Sequence, residues 1–453
     1  MEMTFQNSHN PLLLPQFHVP DGEAHVMPDG KLYIYGSYDD CELAYCSDFY
    51  RVISTPDMKT WTVHQKAMEG AAVPWFREDM AGQVYGTDEA PDTPFIRKMN
   101  AAIADDPDKD YFGNLVERER TALLYAPDGA HKDGKYYLYF CMEDGSEGVG
   151  ISDRPEGPFG DFRQLPAQGI DPAIMVDDDG NAYYFWGQFS ARGVKLNPDM
   201  VSYDPSQVKK NIVTEEEHFF HEGFSIRKIG NTYYAVFSEI SRGKPTALGY
   251  ATAKHPLGPY TYRGVIVDND GCDPESWNNH GSIECFQGQW YVFYHRSTRG
   301  CKIHRRLCAE KIEILPDGTI PEVKMTSQGP GSAFMLGEMI YGWQACGLKG
   351  QCRIDTDPVR GKDCVTQIAN GDRVIFRYVD IKNIPLCVQV DVSGKAEVDL
   401  WIDNSFAGSA IIDPENVRIL LLPQENGKKE VELCFKNPEN LSLFSLCFIP
   451  NKE

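Results

Sequence analysis

Three carboxylates stand at comparable places along this chain. Asp21 lies in Val19-Pro20-Asp21-Gly22-Glu23, Asp171 in Gly169-Ile170-Asp171-Pro172-Ala173, and Glu222 in Phe220-His221-Glu222-Gly223-Phe224. Each falls shortly before a Gly-centred turn followed by an aromatic strand. Acids gathered from distant parts of a chain can divide acid–base work. One gives a proton to a leaving oxygen, and another draws a proton from water or attacks carbon. Cleavage of a glycosidic bond needs such a pair, with different pKa values and therefore different surroundings. Glu222 has Phe219, Phe220 and Phe224 as sequence neighbours. An apolar setting disfavours the charged form, which makes Glu222 the candidate general acid. Asp21, among Gly, Glu and His, suits a base, with Glu23 a rival carboxylate beside it. Asp171 would hold and tune the acid. A lone Asp before Gly is most simply a turn former, and it is the repeated placement that argues for chemistry.

The elements that would position these acids repeat. Gly-centred turns at Gly30, Gly134, Gly180, Gly230 and Gly288 each lead into an alternating strand such as Lys135-Tyr136-Tyr137-Leu138-Tyr139. The last three intervals approach the 40–50 residues of a four-stranded propeller blade. The first interval is about twice as long and contains an irregular segment at about residues 68–118, rich in Asp, Pro, Gly and Met. Inner strands of a propeller line its central channel, so acids entering from three blades would meet in one pocket. Residues Met325 to Gly337 read as a linker. Beyond it, Ala396, Val398, Leu400 and Ile402 alternate with polar residues, the period of a half-buried strand. The expected architecture is all-β, a five-bladed β-propeller over residues 1–325 followed by a smaller β-sandwich over residues 338–453.

Composition bounds the partners. Lys and Arg total 44 against 66 Asp and Glu, a formal charge of −22, which argues against nucleic acid and anionic membrane surfaces. A neutral sugar meets no such objection. The first residues carry neither a basic nor an apolar leader segment, and a cytoplasmic location is the expectation. The 13 Cys include no Cys-x-x-Cys pair and fit a reducing compartment as small core residues.

With Asp21, Asp171-Pro172 and Glu222-Gly223 opening three blades, Tyr125-Ala126-Pro127-Asp128 before the second and His280-Gly281-Ser282 before the fifth, the chain resembles glycoside hydrolase family 43 over about residues 10–320. The resemblance implies an inverting hydrolase with Asp21 as base, Glu222 as acid and Asp171 as modulator. It implies a β-xylosidase or α-L-arabinofuranosidase releasing terminal pentose from plant-derived oligosaccharides. An exo-galactosidase on the same scaffold, or a carbohydrate-binding protein without catalysis, is the alternative. Gly22 stands where the family pattern has Pro, Tyr125 where it has Trp, and Phe224 where it often has Pro; these departures bear on substrate choice. The C-terminal strands resemble a family 6 carbohydrate-binding module. No organic cofactor is implied, and His280 is a candidate holder of a central calcium ion or of water. Trp75, in the irregular segment, is the candidate to stack on a sugar ring, ahead of Trp186 and Trp277. Arg296 is a candidate partner for a sugar hydroxyl, with an ordinary ion pair the competing reading.

Overall fold

The computed structural model describes residues 2–40, 45–76 and 122–451. Five antiparallel sheets form the propeller, and a nine-stranded sheet forms the C-terminal domain. The inner strands of the five blades are Glu23–Val26, Asp128–Lys132, Ala173–Val176, Phe220–Ile229 and Ile283–Phe286. The irregular segment expected at about residues 68–118 lies outside the described residues from 77 onward.

The turn chemistry explains the hairpins. In blade two, Lys132 pairs with Lys135, so only Asp133 and Gly134 make the turn, at φ 51° and 77°. Two consecutive left-handed residues match the twist of the flanking strands, and Asp-Gly tolerates that conformation. Blade five repeats the device with Gln287 and Gly288 between Phe286 and Gln289.

Each strand is half a core. Tyr139 faces Tyr184 across blades two and three, with ring centroids 5.3 Å apart, and Phe185 stacks on Phe224 across blades three and four at 4.6 Å. Ile34, Phe293 and Leu307 close the ring between blades one and five. Each such buried side chain contributes about 1.5–3 kcal/mol by leaving water, and aromatic pairs add about 0.5–1.5 kcal/mol. The N-terminal segment stitches the closure. Met3–Gln6 adds an outer strand to blade one. Asn10 then treats the last strand of blade five as a pairing partner: its Nδ2 donates to the Ala309 carbonyl at 3.0 Å, and its Oδ1 accepts from the Ala309 amide at 2.9 Å.

The C-terminal strands run from Met339 to Pro450 around one large apolar core. Two long strands, Leu386–Ile402 and Gly427–Pro450, pair with each other along most of their length. This domain does not hang from a loose tether. Cys346 and Ile375 enter the core between blades four and five. The Leu348 amide donates to the Gly271 carbonyl and the Gln328 amide to the Arg377 carbonyl. The segment that reads as a linker is itself pinned: Thr326 and Ser327 are buried, and Phe334 stacks on His9 at 4.0 Å.

Candidate active site

The three acids arrive by one backbone device. Asp21 and Asp171 have left-handed backbone, φ 58° and 57°, and each stands just ahead of an inner strand. Glu222 lies near the start of the inner strand of blade four, followed by Gly223 at φ 71°. A left-handed kink, at the acid itself in Asp21 and Asp171 and at the next residue in Glu222, breaks the strand's alternation where the carboxylate meets the pocket. Such strain in non-Gly residues persists only where surrounding structure enforces it. Gly223 is required twice over: its φ is left-handed, and a Cβ there would lie 2.8 Å from the His280 ring.

Asp21, Asp171, Glu222 and His280 line one pocket with Tyr45, Tyr125, Gln188, Trp277, Asn278 and Arg305. The pocket holds about 510 Å³, mouth included. The His280 imidazole stands between the two aspartates, with Nδ1 3.8 Å from Asp21 Oδ1 and 3.9 Å from Asp171 Oδ2.

Each acid has a distinct environment. Burial alone would raise the pKa of Asp21, but the Arg305 guanidinium donates to its Oδ1 at 3.0 Å, and His295 Nδ1 lies 3.4 Å away. The balance holds Asp21 well below the usual carboxylate range, so it is ionised at neutral pH. Arg305 is itself fixed by Asp39, which accepts from Nε and Nη2 at 2.9 Å each. Asp171 goes the other way: burial, then the charges of Glu222 and Asp21, push it well above its ordinary value. Glu222 accepts from Gln188 Nε2 at 2.7 Å and Asn278 Nδ2 at 3.1 Å. Asn278 also meets His295 Nε2 through its carbonyl oxygen at 3.0 Å, so Glu222 and Asp21 are oriented by one connected network.

Several expectations need correcting. The phenylalanines near Glu222 in sequence do not make its pocket apolar. Phe220 and Phe224 turn into the core between blades three and four, and Phe219 packs against Tyr262 at the surface. Two amide donors surround the carboxylate instead. Trp75 is not in the pocket: its indole stacks on Phe140 and covers Gly148, where a Cβ would clash with it. Arg296 is a structural ion pair. It donates to the Tyr294 hydroxyl and the Thr326 carbonyl and faces Glu310 at 3.6 Å, on the side of the strand away from the pocket. Among the described residues, the cation lining the pocket is Arg305 and the indole is Trp277. Strand register separates the two arginines once the face that looks into the pocket is known. His295 and Ser297 share a face, and Ser297 pairs with Arg305, whereas Arg296 pairs with Arg306 on the opposite face, where both are buried.

His280, the residue expected to hold a metal or water, has its ring packed against Gly223 and facing the two aspartates. A second group of donors lies on the inner strands of blades one and two, where His25 Nε2 is already 2.6 Å from Asp128 Oδ1. Glu23, His25 and Asp128 offer ligand atoms within 4.8 Å of one another, and Glu23 Oε1 is buried with no hydrogen-bond partner. Arg227 partly serves the same charges, with Nη2 3.3 Å from Glu23 and Nε 3.0 Å from Glu284.

A five-bladed propeller whose channel mouth gathers three carboxylates is the frame of a glycosidase. Residues 106–320 match the family model for glycosyl hydrolases family 43. The chain is 31% identical to a xylosidase/arabinosidase of Thermoclostridium stercorarium, covering 89% of both proteins. A crystallised β-xylosidase/α-arabinofuranosidase from a compost microbial metagenome superposes with TM-score 0.54 at 28% identity, over 71% of this chain and 99% of that one. The two-domain fold as a whole matches a family 43 arabinoxylan arabinofuranohydrolase of Bacillus subtilis, with TM-score 0.53 at 23% identity over 98% of each chain. The chain belongs to glycosyl hydrolases family 43 and is a glycoside hydrolase.

Proposed function

We propose that this protein is an inverting exo-glycosidase that releases terminal pentose, as β-xylosidase or α-L-arabinofuranosidase, from plant-derived oligosaccharides. The observation that carries the reading is the gathering of three carboxylates in one pocket under opposing influences: Arg305 keeps Asp21 ionised, while burial and the charges of Glu222 and Asp21 push Asp171 up. Asp21 takes a proton from a water molecule whose oxygen bonds to the anomeric carbon. The bond from that carbon to the leaving oxygen breaks, and Glu222 delivers its proton there. Asp171, buried and within reach of both charges, accepts from the Gly223 amide next to Glu222 and sets the electrostatic surroundings of that acid. Pentose preference is supported by the names of the relatives above.

A calcium ion would draw its protein ligands from the Glu23 and Asp128 carboxylates, with His25 orienting Asp128 and water filling the remaining positions. It would supply positive charge that offsets the buried carboxylates of Glu23 and Asp128. Calcium added after chelation should raise the melting temperature of wild type and leave that of Glu23→Gln unchanged; an equal response in both would dismiss this site.

The functional reading is tested by offering the purified protein aryl xylosides, arabinofuranosides and galactosides and following the first-formed anomer by NMR. Pentoside turnover with inverted product is expected. A retained anomer, or turnover confined to galactosides, would overturn it.

A further inference from the structure

A second concavity lies at the junction of the two domains. Its walls include Tyr341, Trp343 and Phe444 from the C-terminal domain and Gln16 and Arg299 from the propeller, and it holds about 1130 Å³, mouth included. Tyr341 is 46% exposed and offers its ring to this concavity. It lies nearly parallel to Trp343, at 11° with centroids 5.7 Å apart. Around the rings stand groups of both signs. Asp391 is held by Arg360 at 2.7 Å, and Asp363 pairs with Arg306 and accepts from the Thr356 hydroxyl. Aromatic faces with fixed polar groups of mixed charge suit a neutral, hydroxyl-rich chain, whereas a polyanion would meet the protein's net charge of −22.

The groove is tied to the active site by two short stretches of chain. Gln16 lines the groove and Asp21 the pocket, so five extended residues, about 18 Å at most, separate their backbones. The loop after the blade-five strand Gln289–Ser297 spans the same interval. Its Arg299 lines the groove, and its Lys302 Nζ sits 4.4 Å over the ring of Trp277, which lines the pocket.

We propose that this groove is a distal glycan-binding site that holds the rest of a pentose-based polysaccharide chain against Tyr341 while its terminal sugar occupies the pocket. The proposal rests on the pentosidase reading for the identity of the chain, and the test separates the two. Tyr341→Ala and Tyr341→Trp are made in the full-length protein, and kinetics are measured on soluble arabinoxylan and on an aryl pentoside. Affinity for xylohexaose is measured by calorimetry in the Glu222→Gln background. Loss of one sugar–aromatic contact should raise KM on arabinoxylan and Kd for xylohexaose roughly 3–10-fold in Tyr341→Ala, with kcat unchanged, because binding remote from the reacting bond is uniform. Tyr341→Trp should restore both, and aryl pentoside kinetics should not move in either variant. Unchanged KM and Kd in Tyr341→Ala would overturn the groove while leaving the pentosidase reading in place. Weakened binding of xylohexaose by Tyr341→Ala in a protein inactive on aryl pentosides would leave the groove standing and remove the pentosidase reading. Equal losses on arabinoxylan and aryl pentoside would overturn the proposal, since the effect would then lie in the pocket.

Discussion

Glu222→Gln separates acid catalysis from simple integrity of the pocket. The carboxylate accepts from two amides, Gln188 and Asn278. A glutamine can offer its carbonyl oxygen to one of them, but its NH2 then faces the other donor. One hydrogen bond is lost, about 0.5–1.5 kcal/mol, so the variant should fold. The catalytic loss is larger. Proton transfer to a leaving group contributes on the order of 10²–10⁴-fold, or about 2.7–5.4 kcal/mol of barrier. That loss depends on how much the leaving group needs the proton. A 2,4-dinitrophenyl glycoside leaves readily as an anion, whereas an alkyl glycoside or an oligosaccharide does not. The assay is therefore kcat/KM across aryl glycosides of graded leaving-group acidity, in wild type and variant. The variant should lose least on the most acidic phenol and most on the oligosaccharide. A loss of equal size across the series would refute the role of Glu222 as general acid and point to a disturbed pocket.

Asp21→Asn should abolish turnover while leaving Arg305 paired to Asp39. Because the folded pKa of Asp21 is depressed, its contribution to stability is present above the unfolded value of about 4 and is lost as pH falls through the folded value. Melting temperatures of wild type and Asp21→Asn should therefore differ at pH 7 and converge in strong acid; a gap independent of pH would contradict the pairing with Arg305. Arg296→Ala strands Glu310, a carboxyl already pushed up to about 7 by burial against the pull of Arg296. It should cost roughly 3–5 kcal/mol in denaturant titrations with little change in KM on aryl pentosides. A raised KM with unchanged stability would return Arg296 to the sugar site.

Local chemistry in the sequence determined the repeating unit. A Gly-centred turn with Asp or Asn beside it can close a hairpin with no help from distant residues, and alternation of Tyr, Phe and Leu gives each strand two faces. The placement of Asp21, Asp171 and Glu222 ahead of those hairpins was legible for the same reason. Only the tertiary structure decided which neighbours each carboxylate meets. Phe220 and Phe224 adjoin Glu222 in sequence, yet the strand's alternation and its bulges send them into the core, while Gln188 and Asn278 arrive from other blades. Arg305 could not be chosen over Arg296 without knowing which face of blade five looks into the pocket, because a shift of one residue along a strand reverses its side. Trp75 carried no signal of the Phe140 ring awaiting it. Turns and strand periods are set by contacts a few residues apart. The electrostatics of the pocket are set by closure of the ring, which brings together groups as distant in sequence as Asp21 and Arg305.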